Sequence, residues 1–435
     1  MAHWLRVLLL LLLVAPPAAV AQDAGGEQVI VIFRDDVDAA RRERVLRQAG
    51  AVPTRHFAHA RASAARLVTP GARQALERHP DVVRVIPDRA IEKHAKPTGG
   101  STTTGAQVVP AGVQRIGAAP GSLPLTGAGV GVAVVDTGLD FSHRDLQPLG
   151  GVCFTAFTSC QDDEGHGTHV GGIIAARDNA VDVVGVAPDA LLYAVKVLDR
   201  KGRGTDSTLM AGLDWIVDQT LQGALTPPVR VVNMSLGRPG TLDDNPALRA
   251  LVQALYNLGI TVVVSAGNDP DREVAQQVPA TYPEVLAVAS TTALDGSNAC
   301  RFVSGFVAMD TASWFTTDGR FDPTTGIGVT ASAPGEDREN ITRSCALTSV
   351  GILSTRLGGG TTRMAGTSMA APHVAGVAAL LVEQDATVGP EGVRSKIRTG
   401  AARHDVAPLD SPASAYSFDG EREGILSAPG ALAAP

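Results

Sequence analysis

The sequence predicts an α/β protein, a parallel sheet flanked by helices on both faces, preceded by a small α+β module. Three observations predict it. From Gly129 onward, short apolar runs alternate with helical patterns, which is how a parallel sheet with covered faces is written. Glu27 to His94 carries a separate pattern of short strands and helices. Charge divides in the same region: residues 22–105 hold 14 Lys plus Arg against 10 Asp plus Glu, a net +4, whereas residues 106–435 hold 22 against 34, a net −12. Asymmetry of this size marks separate units.

At the amino end, Arg6 precedes the apolar run Val7 to Val14, and the small-residue site Ala19-Val20-Ala21 follows. These are the regions of a secretory signal peptide over residues 1–21, cut after Ala21. Pro16 and Pro17 stop the run, well short of the ~20 residues needed to span a bilayer. The protein is therefore expected to be secreted, to the medium or a periplasm. The module then reads strand (Gln28 to Phe33), Arg-rich helix (Asp38 to Ala49), strand (Ala64 to Val68), helix (Ala72 to His79) and strand (Val82 to Ile86). Lys96 to Gly105 (KPTGGSTTTG) has the composition of an exposed linker.

In the main body Val130 to Val135, Leu191 to Leu198, Val229 to Met234, Ile260 to Ser265 and Val285 to Ala289 read as buried strands. Val170 to Ala176, Thr208 to Thr220, Ala247 to Leu258 and Ser368 to Glu383 read as helices. In such sheets reactive groups collect at the carboxyl ends of the strands.

Composition excludes several classes. A 44% hydrophobic content rules out intrinsic disorder, and a net charge of −7 argues against a phosphate-binding surface. Aromatic residues make up only 4% of the chain, so the interior must be built from Ala, Val, Leu and Ile. Cys153, Cys160, Cys300 and Cys345 are too few for a disulfide-built miniprotein; after export they allow three pairings. No CxxC pair suggests zinc.

Three segments place polar residues where a purely structural sequence would gain little. Asp136 ends a strand in VAVVDTGLD, His166 opens a helix in DEGHGTHVGG, and Ser368 opens another in GTSMAAPHVAG. Together they supply an acid, a base and a nucleophile. A serine hydroxyl is a weak nucleophile until a base takes its proton, and the base needs a carboxylate to fix its tautomer and stabilise its charged form. Each alone has an ordinary reading: a turn cap, a surface histidine, a helix N-cap. In Gly366-Thr367-Ser368-Met369-Ala370 the fifth residue is Ala, so the GxSxG elbow of esterases is absent. His166 and His169 stand three apart and could suggest a metal pair, but no third ligand lies nearby in sequence.

With these segments in the order Asp, His, Ser, the sequence resembles the subtilisin-like serine proteases from Ala106 to about Ala433, with the proteinase K and bacterial subtilisin branches nearest in wording. The resemblance implies a serine endopeptidase that forms an acyl-enzyme on Ser368, with His166 as base, Asp136 orienting it and His169 a structural neighbour. Asn268, in VVVSAGND, would be the side-chain oxyanion donor beside the Ser368 N–H. Ser235, Leu236 and Gly237, with Ala266 and Gly267, would line the pocket for the residue before the scissile bond, and Gly202, Arg203 and Gly204 the edge that pairs with an extended peptide. Asp206, near Arg200, Lys201 and Arg203, stands where many relatives carry a bulky group at a distal pocket, which argues against the family's preference for large apolar residues there.

By the same resemblance, Asp145 and Asn179, with the carbonyls of Arg177, Val181 and Val183, would hold a structural Ca2+. No cofactor is expected for catalysis. Residues 22–95 would be an inhibitor-type propeptide that helps the peptidase domain fold and then occupies its cleft. Residues 96–105 would be a linker and processing region, and residues 106–435 the peptidase domain, with first cleavage between Lys93 and Ala106. Gly424 to Ala428 resembles the family's closing segment. Partners would be protein and peptide substrates and the protein's own propeptide, with no nucleic acid, no membrane after signal removal, and a monomeric state. Ser297 to Thr311 and Glu336 to Thr355 depart from the compact family pattern and hold one cysteine each, which suggests Cys300 with Cys345. Cys153 with Cys160 would then close a short loop. The alternative is a catalytically silent peptide-binding protein of the same fold, which would have no need of the full triad and Asn268.

Overall fold

A computed structural model describes residues 26–102, 105–156, 159–413 and 419–435. The expected signal peptide lies outside the described residues. The amino-terminal module comprises β1 (Gln28–Phe33), α1 (Ala39–Gln48), β2 (Ala51–Phe57), β3 (Ala62–Leu67), α2 (Ala72–Glu77) and β4 (Val82–Pro87). Its antiparallel sheet has the order β2-β3-β1-β4, the split βαβ arrangement. Asp38 caps α1 by accepting from the Arg41 N–H at 2.7 Å. The sequence pattern missed β2. It is an edge strand interrupted by Pro53, beside which its register slips, and edges tolerate the proline and polar residues that hide a strand from periodicity.

Next come β5 (Ala90–Lys93), β6 (Lys96–Thr102) and α3 (Ala111–Arg115). The main body follows with β7 (Gly131–Asp136), β8 (Pro148–Cys153), α4 (His166–Ala175), β9 (Leu191–Lys196), β10 (Arg203–Thr205), α5 (Asp206–Leu221), β11 (Val229–Met234), β12 (Leu236–Pro239) and α6 (Pro246–Asn257). It closes with β13 (Thr261–Ser265), β14 (Gln277–Val278), β15 (Val285–Thr292), β16 (Val329–Ile341), β17 (Leu347–Thr355), β18 (Thr361–Ala365), α7 (Thr367–Gln384), α8 (Pro390–Thr399) and α9 (Ala428–Ala433). All five apolar runs read as strands, and all four helical patterns, are found.

Ten strands form the large sheet in the order β6-β18-β17-β16-β15-β13-β11-β7-β9-β8. Pairing is parallel from β16 to β8 and antiparallel from β16 to β6. Along β7, Val132 and Val134 join the core beneath α4 and α7, whereas Ala133 and Val135 join the core beneath α5 and α6. That alternation is the period-two geometry of a strand covered on both faces. Chain order reverses at β7, with β9 on one side and β11 on the other, so a cleft opens at the carboxyl end of β7.

The reading of Lys96 to Gly105 as an exposed linker is corrected over Lys96–Thr102, which is strand β6, hydrogen-bonded to β18. Strand addition uses backbone groups, so an open sheet edge can recruit a Gly/Thr-rich segment that has no apolar pattern. The Cys300–Cys345 disulfide is present, with Cα atoms 4.9 Å apart. It ties the 295–311 loop to the β16–β17 hairpin, where Val307 and Ile341 pack around it. The expected bond between Cys153 and Cys160 is not made. Cys153 ends β8, paired with Lys196 and with its sulfur 3.3 Å from Thr155 Oγ1, while the Cys160 backbone is tied to Leu139. Both cysteines lie near Lys196, but the β8–β9 ladder sets one backbone and the tie to Leu139 the other, and this placement does not join the sulfurs. Among the described residues no helix is long and apolar enough to cross a membrane.

Candidate active site

Asp136 is the last residue of β7 and His166 the first of α4, both fully buried. His166 Nδ1 lies 2.8 and 2.9 Å from the two Asp136 carboxylate oxygens. Close packing of the helix start against the strand end permits this. A Cβ on Gly167 would stand 2.1 Å from the Gly138 carbonyl oxygen, so only glycine fits there. Thr137 donates its N–H to Asp136 Oδ1 at 2.7 Å and accepts the Gly167 N–H at 2.8 Å, locking the junction. With Nδ1–H committed to Asp136, His166 Nε2 is left as the basic nitrogen, buried and without a hydrogen bond.

Ser368 sits in the first turn of α7, fully buried. Its hydroxyl donates to the Ser235 carbonyl at 2.9 Å, and Ser235 Oγ donates back to the Ser368 carbonyl at 2.9 Å. In this state the Ser368 hydroxyl is held by β11's outgoing turn rather than by His166. Asn268 follows β13. Its Oδ1 accepts from Thr367 N at 3.0 Å and Thr367 Oγ1 at 2.9 Å, which fixes the amide so that Nδ2 points into the cleft.

A peptide carbonyl of the chain itself fills that cleft. The His94 carbonyl oxygen accepts from Asn268 Nδ2 at 2.7 Å and from the Ser368 N–H at 3.2 Å. A Cβ on Gly366 would stand 2.1 Å from this oxygen, so glycine at 366 makes room for it. Upstream, β5 lies antiparallel between β10 and β12, pairing Ile91 with Gly204, Glu92 with Arg203 and Gly237, and Lys93 with Leu236. Lys93 N–H donates to Gly202 O at 3.1 Å and His94 N–H to Ser235 O at 3.3 Å. Gly202, Arg203, Gly204, Ser235, Leu236 and Gly237 thus all meet β5 or His94.

The His94 ring lies 2.8 Å from Ser265 Oγ through Nδ1, over Gly237, where a Cβ would stand 2.7 Å from the ring. Burial of that ring, reinforced by His166, lowers its pKa from 6.5 to about 4. Ala266 and Gly267 hydrogen-bond to Val288 O and Thr367 Oγ1 instead, carrying the chain from Ser265 to Asn268. Asp206 does not charge the distal pocket. Arg238 neutralises it with bonds of 2.7 and 2.9 Å, Asn245 adds one at 3.1 Å, and Ile91 is fully buried on the cleft wall. The expectation against apolar residues there is therefore corrected: the acid faces its own arginine.

His169 is engaged through one ring nitrogen. Its Nε2 faces the Ile352 and Thr362 carbonyls at 3.1 and 3.2 Å, and burial lowers its pKa to about 3. Among the described residues no group of three or more His, Cys, Asp or Glu gathers as a metal cluster. For the expected calcium site, Asp145 Oδ2 accepts from Val183 N at 3.1 Å and Asn179 Oδ1 from Val181 N at 3.1 Å. Asp145 Oδ1 is buried without a hydrogen bond, and burial pushes the carboxyl up to about 7. A buried carboxylate oxygen left over, with the Asn179 side chain next to the Asp145 carboxylate, is donor chemistry that fits a hard cation.

The resemblance implied that residues 22–95 occupy the cleft, but sequence reasoning did not single out Ile91, Lys93 and His94 within them, nor Glu164, Ser265, Thr367 and Gly366 as supports of the cleft. The signals for the first group were the propeptide resemblance and the short extended run before the Gly/Thr-rich stretch.

The subtilase family model matches residues 127–418. Subtilisin E of Bacillus subtilis (strain 168) is 34% identical over 370 residues, covering 84% of this chain and 82% of the relative. A subtilisin of Bacillus pumilus is 36% identical over 301 residues, covering 68% and 92%. M-protease of Shouchella clausii (strain KSM-K16) is 36% identical over 301 residues, covering 69% and 66%.

Proposed function

Because the chain belongs to the subtilase family and is a subtilisin-like serine endopeptidase, we propose that Asp136, His166, Ser368 and Asn268 are its catalytic residues, and that it is a secreted precursor that cuts itself between His94 and Ala95. One observation carries this reading: the His94 carbonyl oxygen sits between the Asn268 amide and the Ser368 N–H while the residues before it are strand-paired on both sides. That is the placement an oxyanion hole requires.

His166 Nε2 takes the Ser368 proton as Oγ leaves the Ser235 carbonyl and attacks the His94 carbonyl carbon. Resting hydrogen bonds of this kind often tighten only on reaction. Asp136 stabilises the imidazolium, and the developing oxyanion is held by Asn268 Nδ2 and Ser368 N–H. The C–N bond breaks, His166 protonates the Ala95 amine, and water, deprotonated by His166, releases the His94 carboxyl group from Ser368. Residues 22–94 are then a propeptide whose last strand stays in the cleft as inhibitor. Ala95 to about Gly105 becomes the first amino-terminal extension of the peptidase domain. Substrates are proteins and peptides that bind as β5 does.

The test is a full-length Ser368→Ala chain beside the unaltered one. The unaltered protein should yield a form beginning at Ala95 and hydrolyse casein, whereas Ser368→Ala should stay uncut and inactive. Casein hydrolysis by Ser368→Ala overturns the catalytic assignment, and a first new terminus elsewhere overturns the cut site.

Calcium is a second part of the reading, supported by the leftover Asp145 oxygen. Asp145 and Asn179 would hold the ion with the Arg177, Val181 and Val183 carbonyls, clamping the loop after α4 and raising stability. A chelator should lower Tm in the unaltered protein and leave it unmoved in Asp145→Asn.

A further inference from the structure

We propose that Glu164 is a specificity-determining residue, making the enzyme favour lysine or arginine immediately before the residue whose carbonyl is attacked. The inference rests on the protease reading above and adds a substrate class to it. In the bound strand that position is Lys93, and Lys93 Nζ forms an ion pair with Glu164 Oε1. The pair is well enclosed, with the two side chains only 15% and 16% exposed, so solvent screening weakens it less than a surface contact.

Glu164 is held ready for this contact. Asp162 Oδ1 accepts the N–H groups of Glu164 and Gly165 at 3.0 and 2.9 Å, forming the turn that presents the carboxylate. The second carboxylate oxygen accepts the His166 N–H at 2.9 Å. That bond fixes the side chain without cancelling its charge.

Lys196 is committed elsewhere, pairing with Asp163 at 2.7 Å, whereas Arg203 pairs with Glu92 of the bound strand at 3.0 Å and is released when that strand leaves. When the proposed propeptide leaves, Glu164 keeps an unmatched negative charge at the wall of the cleft.

The opposite wall fits the same kind of side chain. Gly202 has φ +70°, and a Cβ there would stand 2.8 Å from Lys93 Cδ. The lysine stem therefore lies across bare backbone, which suits a long unbranched chain and excludes nothing by bulk. A carboxylate at the end of such a groove takes an ammonium or guanidinium and disfavours an acid. Glu92, one residue earlier, faces the exposed Arg203 side of the strand, so the effect is confined to one subsite.

The test uses the processed enzyme obtained from the full chain and peptides ending in His before the scissile bond, with Lys, Arg, Met or Glu one residue earlier. Lys and Arg should exceed Met in kcat/KM by about tenfold or more, the size of a hydrogen-bonded contact to a charged group, with Glu lowest. Ratios within one enzyme cancel any general loss caused by altering the neighbour of His166. Glu164→Gln, which keeps an acceptor for the His166 N–H, should bring the Lys/Met ratio close to one. In the full chain, Lys93→Glu should slow self-cutting, and the same change should slow it much less when made in the Glu164→Gln chain. Peptides cut with no Lys preference, or a preference that survives Glu164→Gln, overturn the inference and leave the protease reading intact. No Ser368-dependent cleavage of any peptide overturns both.

Discussion

The two flanks of the His94–Ala95 bond are held in different ways. Before the bond, β5 is sandwiched between β10 and β12, Ile91 is fully buried, and His94 fills a pocket over Gly237. After it, β6 pairs with β18 alone, its lysine and proline exposed at the edge of the large sheet. Backbone bonds on two sides plus filled pockets give far more differential affinity than bonds on one side. Once the bond is cut, the fragment ending at His94 should therefore remain, and the new amino terminus at Ala95 should peel away. On the proposed reading, one sequence would serve as a substrate on one flank and as an inhibitor on the other.

The largest expected effect lies at the junction of the flanks. Asn268→Ala should slow self-cutting by about 10²- to 10³-fold, a size known for the corresponding donor of a subtilisin and taken over from it. The measurement is the rate at which the Ala95 terminus appears. A normal rate would mean that the two-donor cradle around the His94 oxygen does no electrostatic work.

Ile91→Ala comes next. Removing a fully buried isoleucine costs about 2 kcal/mol or more, so the cut propeptide should inhibit the processed enzyme at least about thirtyfold less tightly.

A pH series sharpens the same flank. The His94 pKa falls from 6.5 to about 4 on docking, so the proton favours the undocked state. Docking should be strongest above about 6.5 and weaken as the pH drops through 6.5 towards 4, by about tenfold or more. His94→Phe should flatten that part of the profile, and an unchanged profile would exclude His94 as its source.

Thr98→Ala should do least. Thr98 Oγ1 accepts the Gly351 N–H at 3.0 Å, and losing one partly exposed bond costs about 0.5–1.5 kcal/mol. Self-cutting should slow only a few-fold, and inhibition by the released propeptide should not change. If Thr98→Ala weakened inhibition as much as Ile91→Ala, the contrast between the flanks would be broken.

What the sequence determined by itself is local. Apolar runs such as Val229 to Met234 announce buried strands because a strand covered on both faces must be apolar throughout. Asp136, His166, Ser368 and Asn268 stand out because acyl transfer needs those side chains, and each sits at the end of an element that periodicity can find. The tertiary structure decided what depends on distant segments meeting. Lys96–Thr102 became a strand because β18 offered an open edge, and Asp206 lost its influence on the distal pocket because Arg238 reached it. Cys153 and Cys160 are not bonded because the backbone of each is set by its own long-range pairing, to β9 and to Leu139. Which peptide bond enters the oxyanion cradle, and that Lys93 meets Glu164, follow from how the amino-terminal module docks on the main body. No window of local sequence carries that geometry, because the contacts that set it join residues far apart along the chain.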